Sequence, residues 1–200
     1  MNYESTETRE KILNATIDIV GVKGEVTIRE ITEKAGVNVA SINYYFGNKN
    51  NLLKEVENYY AEKLFKSGYD ILTDDNLDLE DKLFEWSINL IEYMFKYPAL
   101  IALIVKLTTE DKSYNPVIIK KVYLNNETQR LIENIIGKIT NIQDSKILNF
   151  KYIQLFSGIL GTVINRVVIN MYGDKKSFLN IDNPEELRQY MKLLITSILK

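Results

Sequence analysis

The chain has 200 residues, 46% of them hydrophobic, with 25 Lys and Arg against 27 Asp and Glu and a net charge of −2. It contains neither cysteine nor histidine, which excludes disulfides, thiol catalysis and Cys/His zinc sites and removes the commonest acid/base group near neutral pH. A packed core is expected, an enzyme, a metal site or a bound cofactor is not, and any anionic partner must be met by a local surface rather than by overall charge.

The opening stretch, MNYESTETRE, is polar and carries acids, unlike a signal peptide. The spacing of Ile12, Leu13, Thr16, Ile17 and Val20 predicts a first helix ending over Gly21 to Gly24. Thr27 followed by Glu30 has the spacing of a capping box, opening a short helix with Ile28, Ile31 and Ala35 inward. Gly36 suits the positive φ of a tight turn. Asn38 caps a third helix, in which Ile42 and Phe46, four apart, face inward. From Asn48 a long helix carries Leu52, Leu53, Val56, Tyr60 and Leu64 to about Leu72. Further helices are predicted near 79–97, 98–108, 116–139, 144–171 and 184–199, with Asn115-Pro116 and Asn183-Pro184 as opening signals. No alternating run argues for a strand. The charge-free run between Lys151 and Arg166 is shorter than a membrane span and reads as a buried helix, so no membrane partner is expected; the absence of cysteine fits a reducing cytoplasm, where the chain is placed. The predicted fold is all-α with about nine helices: an N-terminal three-helix domain, residues 1–50, and a larger C-terminal helical domain, residues 51–200.

Residues 34–54 hold three lysines and no acid, where the chain's average composition would put about three acids. A short helix, a glycine turn and a second helix form the helix-turn-helix pattern, whose second helix can lie in a DNA major groove. Carboxylates facing phosphates would be repelled, whereas Ser, Asn, Tyr and Lys can donate hydrogen bonds to phosphate oxygens. The blander alternative is an ordinary helical hairpin, a protein-interaction module that does not bind DNA.

The segment TIREITEKAGVNVASINYYFGNKNNL, residues 27 to 52, resembles the DNA-binding segment of the tetracycline-repressor (TetR) family of bacterial transcriptional regulators. The matching positions are Thr27, Ile31, Ala35-Gly36-Val37, Ile42, Tyr45-Phe46, Asn48-Lys49 and Leu52. The resemblance covers roughly residues 6 to 60. The family frequently has tyrosine where this chain has Asn43, and lysine or arginine where it has Val39. Carried over by position, it implies that Val39, Ala40, Ser41, Asn43 and Tyr44 face bases or the adjoining backbone. It implies phosphate contacts for Thr27, Arg29, Tyr45 and Lys49. Asn43 can pair bidentately with an adenine edge, while Arg29 can equally pair with Glu25 or Glu33.

The resemblance further implies a homodimer that binds double-stranded operator DNA and is released by a small-molecule effector. For the dimer seam, Gln154, Gly158, Gly161 and Asn165 fall on one face of an apolar helix, and Leu187, Met191, Leu194, Ile195 and Ile198 form a stripe on the last helix. The alternative is that both stripes close the monomer core. Trp86, Leu90, Tyr93, Met94, Tyr97, Tyr123 and Phe156 are candidates for lining an apolar or aromatic effector pocket, though aromatics at helical spacing are more often plain core.

Overall fold

The structure, a computed structural model, describes residues 3–23, 26–172 and 183–200. Among the described residues there are nine α-helices and no strand. The helices are α1 Tyr3–Lys23, α2 Ile28–Ala35, α3 Val39–Phe46, α4 Lys49–Thr73, α5 Leu79–Lys96, α6 Ala99–Glu110, α7 Asn126–Thr140, α8 Ser145–Tyr172 and α9 Pro184–Leu199. A π-helical turn, Ile119–Tyr123, lies between α6 and α7.

One expectation about boundaries holds and one needs correction. α1 ends at Lys23, within the expected span Gly21 to Gly24, but Gly21 itself lies inside the helix. A methyl group at Gly21 would lie 2.4 Å from the Tyr60 hydroxyl, and that hydroxyl donates to the Ile17 carbonyl at 2.7 Å. The glycine is therefore there for close approach of α4, not to end the helix. The helix expected over 116–139 is interrupted, because the Asn125 side chain accepts from the backbone N–H groups of Glu127 and Thr128 and starts α7 afresh. Asn183 caps α9 ahead of Pro184 as anticipated.

The chain forms two compact units. The first comprises residues 1–63 and 96–124. Here α1 packs on α2 and α6, and α2 on α3. Ile12, Val20, Ile31, Ile42, Leu52, Leu53, Val56, Leu100 and Leu103 are buried. Apolar burial contributes about 25 cal/mol per Å², so this cluster is what fixes α2 and α3, eight residues each and marginal alone. Tyr60 packs on the Tyr97 ring within this first unit, at 4.8 Å between centroids.

The second unit comprises residues 64–95 and 125–200. α7, α8 and α9 pack together over Ile132, Ile136, Leu155, Ile159, Met191 and Ile195. α8 is, among the described residues, the one helix long and apolar enough to span a membrane by length and composition. One of its faces, Tyr152, Leu155, Phe156, Ile159 and Val163, is nonetheless buried within the chain, as for a core helix.

Candidate nucleic-acid interface

The reading surface is built by local capping chemistry. The Thr27 hydroxyl accepts from the Glu30 N–H at 3.1 Å, and the Glu30 carboxylate accepts from the Thr27 N–H at 2.8 Å, a complete capping box at the start of α2. Those bonds to Thr27, with Lys23 close by, pull the Glu30 pKa down to about 2. The helix ends at Gly36, whose φ of 67° is strained for any residue with a Cβ. Asn38 then caps α3, its side-chain oxygen accepting from the Ser41 N–H at 3.0 Å and from the Ser41 hydroxyl at 3.1 Å.

Two residues of α3 point inward: Ile42 and Phe46 are buried. Val39, Ala40, Asn43 and Tyr44 are exposed, and Ser41 and Tyr45 are half-buried. Tyr44, at 78% exposure, is the most exposed large hydrophobic residue of the described chain. It meets Tyr45 edge-on, with ring centroids 4.8 Å apart. The opposite side of the unit anchors the helix. The Arg9 guanidinium lies 4.8 Å from the centre of the Phe46 ring and bonds the Glu55 carboxylate at 2.6 and 2.7 Å, joining α1, α3 and α4.

The corner after α3 is closed by Asn48 and by Asn51, the second of which sequence reasoning did not single out. Asn48 accepts from the Asn51 N–H at 2.9 Å and so caps α4. The Asn51 side chain donates back to the Phe46 carbonyl at 3.0 Å. Their spacing of three is a readable cap signal. Lys49 opens α4 beside them and is half-buried. A cleft of about 410 Å³ adjoins this point, lined by Asn48, Lys49, Asn50, Asn51, Lys54, Leu107 and Asp111.

Thr27 is exposed and engaged with Glu30. Arg29 pairs with Glu33 at 2.7 Å while its side chain stays 86% exposed, so the pair can be given up cheaply to a phosphate. The geometry thus brings Val39, Ala40, Ser41, Asn43, Tyr44 and Tyr45 onto one short helix, with Lys49 at the next helix start.

The other predicted groups fare differently. Leu187, Met191, Ile195 and Ile198 are buried within the single chain. Leu194 packs on Gly158, where a methyl would lie 2.3 Å from Leu194 Cδ2. Gln154 and Asn165 are exposed, and nothing lies within 4 Å of a methyl at Gly161. Trp86, Leu90, Tyr93 and Phe156 are buried in the second unit, with the Trp86 and Phe156 rings 6.3 Å apart; Met94 is half-buried there. Tyr97 belongs to the first unit, and the Tyr123 side chain lies outside the described residues. A groove of about 290 Å³ in the second unit is lined by Glu80, Asp81, Phe84, Glu185, Arg188, Gln189, Lys192 and Ile195, none of them a predicted pocket residue.

Comparison with known proteins agrees with this geometry. The sequence model for bacterial regulatory proteins of the tetR family matches residues 12–56. Comparison with curated proteins gives no match. Among solved structures, the chain is similar to a protein assigned to the TetR-family transcriptional regulators from Mesorhizobium loti, with 18% identity, coverage of 99% and 98% of the two chains and a TM-score of 0.73. It is similar to a transcriptional regulator from a Rhodococcus species at 15% identity, with coverage of 96% and 95% and a TM-score of 0.66. It is also similar to the TetR-family regulator PfmR from Thermus thermophilus at 15% identity, with coverage of 92% and 97% and a TM-score of 0.60. Residues 12–56 thus match the sequence model for bacterial regulatory proteins of the tetR family, and the whole chain shares the fold of these solved structures.

Proposed function

We propose that this protein is a dimeric transcriptional repressor that binds a palindromic operator through α3 and is released by a small apolar or aromatic molecule. The observation that carries the reading is the short helix α3, which buries Ile42 and Phe46 and leaves Val39, Ala40, Asn43 and Tyr44 exposed in a stretch without a single acid from 34 to 54. In such a regulator residues 1–50 act as the DNA-binding domain and residues 51–200 respond to the effector and dimerise. Asn43 and its exposed neighbours meet base edges, while Thr27, Arg29, Tyr45 and Lys49 meet phosphates.

The seam in this proposal is the outer face of α8. Ile147, Phe150, Gln154, Ser157, Gly161, Ile164 and Val168 alternate at spacings of three and four, the a/d pattern of a helix seam. Ile147, Phe150, Ile164 and Val168 are all exposed, as is Leu193 of α9 at 72%. An apolar stripe of that length on a single chain calls for a cover, and a two-fold copy supplies one that is self-complementary. Two recognition helices held one or more DNA turns apart, ~34–36 Å or a multiple, then reach successive major grooves.

A mobility shift on the DNA upstream of the protein's own gene, followed by footprinting, tests the reading. Protection of a two-fold symmetric site is the expected result; no retention of that DNA or of any duplex recovered by selection would leave the protein-interaction alternative in its place. An effector, once found, must bind more weakly in the presence of operator by the factor it weakens DNA binding, typically ~1–3 kcal/mol of coupling.

A further inference from the structure

Among the described residues of the first unit, the buried charge is Glu57. It sits on α4, fully buried, and its carboxylate accepts three hydrogen bonds from one short segment. Tyr114 Oη donates at 2.7 Å, the Val117 N–H at 3.1 Å and the Ile118 N–H at 2.7 Å. Burial and this carboxylate together push the Tyr114 phenol above its ordinary pKa. Glu57 is not alone. Asn50, Lys54 and Glu57 follow one another at spacings of four and three, one face of α4. Asn50 Nδ2 donates to Glu110 at 2.9 Å, and Lys54 Nζ bonds Asp111 at 2.8 Å and lies 4.8 Å from the Tyr114 ring centre. Farther along, Lys121 bonds Glu62.

Residues 110–121 are therefore held on α4 by these polar contacts together with the burial of Pro116 and Ile118. A buried charge is a poor device for bulk stability, since well-packed apolar residues of the same volume often do as well. What it supplies is a single register. The Val117 and Ile118 N–H groups stand at the start of the helical turn that follows Pro116, where backbone donors lack partners within the helix. A carboxylate that accepts from both fits only one placement of the segment. A π-helical turn follows at Ile119–Tyr123, a rare geometry frequent at functional sites. The same polar face runs down to the cleft that Lys49, Asn50 and Lys54 share with Leu107 and Asp111.

We propose that Glu57 is a latch: it docks residues 110–121 on α4, and the docked segment holds the first turns of α4, Lys49 included, where they meet the DNA backbone. Glu57 is then a positioning residue that touches no nucleic acid. The proposal rests on the DNA-binding reading above, but the docking itself is read without DNA.

The test uses the full chain with Glu57→Gln and Tyr114→Phe. Amide hydrogen exchange is followed over 110–121, and binding is titrated on a duplex recovered by selection with the wild-type protein and on a random-sequence duplex. An amide side chain keeps the shape but turns donors toward donors, so exchange at Val117 and Ile118 should quicken about tenfold or more. Affinity for both duplexes should fall together, about three- to tenfold, with the preference between them kept, because phosphate-facing turns are displaced and base-facing ones are not. Tyr114→Phe retains both backbone donors and should move in the same direction by less. Unchanged exchange overturns the latch; faster exchange with unchanged duplex affinity overturns its hold on α4. If Glu57→Gln does not fold, Tyr114→Phe and Asp111→Asn decide on the same two readouts. A wild-type protein that retains neither duplex sinks the DNA reading and the coupling with it, while the exchange data still judge the docking.

Discussion

Two glycines three residues apart on α8 allow intrachain packing and the proposed seam to be tested separately. A methyl at Gly158 would lie 2.3 Å from Leu194 Cδ2, with Cδ1 and Cγ at 3.2 and 3.3 Å. The whole isobutyl group must shift, at about 1–3 kcal/mol for overpacking, while replacing a helical glycine returns about 1 kcal/mol. Gly158→Ala should therefore leave the chain no more stable than wild type and up to about 2 kcal/mol less so. At Gly161 a methyl meets nothing within 4 Å, so Gly161→Ala should gain close to the full helix-propensity term, about 0.8–1 kcal/mol. Gly161→Leu keeps most of that gain in the single chain. Across a two-fold seam its extra carbons enter twice, costing about 2–6 kcal/mol per dimer and weakening association about 30-fold or more. Urea melts of the three variants and sedimentation velocity over a dilution series measure both terms. Gly161→Leu that stays dimeric at every concentration where wild type does would refute the seam on α8. Gly158→Ala gaining as much stability as Gly161→Ala would refute the tight packing on Leu194.

Lys49→Ala should weaken specific and random duplexes alike and flatten the salt dependence by about one phosphate, whereas Asn43→Ala should lose preference at one or two base pairs; equal losses on every sequence for both variants would undo the division of roles. Gly21→Ala should destabilise because its methyl would crowd the Tyr60 hydroxyl at 2.4 Å, and Tyr60→Phe, which removes that oxygen, should rescue it in a double-mutant cycle by about 1 kcal/mol or more; additive losses would speak against the contact. Glu30 has its pKa lowered from 4.5 to about 2, so its capping contribution is complete above pH 4.5 and drains away as pH falls toward 2. Glu30→Gln should flatten the pH dependence of thermal unfolding in that window, and an unchanged slope would show that the capping box is not populated in solution.

The parts of the fold that were legible in the sequence are those whose physics is local. Thr27 and Glu30 satisfy each other across three residues, Asn38 caps its own helix, and Gly36 takes a φ that other residues avoid. Ile42 and Phe46 are buried because their spacing of four leaves them on one face of an eight-residue helix. Asn125 carried the same kind of signal, a capping side chain before Glu127 in the first turn, and the break before α7 could have been placed from it. Glu57 could not have been found this way. Its donors are 57 to 61 positions away, and a glutamate in a lysine-rich helix reads as a solvated charge until the fold brings those donors to it.

The stripes on α8 and α9 show where periodicity stops being informative. An apolar face at helical spacing says that something covers it and is silent on whether the cover is the same chain or a copy. On α9 the answer is the same chain, since Leu187, Met191, Ile195 and Ile198 are buried by it. α8 is apolar on more than one side, so its hydrophobic pattern cannot pick out a single face. Tyr152, Leu155, Phe156, Ile159 and Val163 go into the second unit's core. That leaves Ile147, Phe150, Ile164 and Val168 exposed on the face that also holds Gly161. Gln154 and Ser157 on the same face are what keep it from reading as core, and they would pair with themselves or each other across a two-fold axis. In the proposed seam those polar residues let each half tolerate water before assembly.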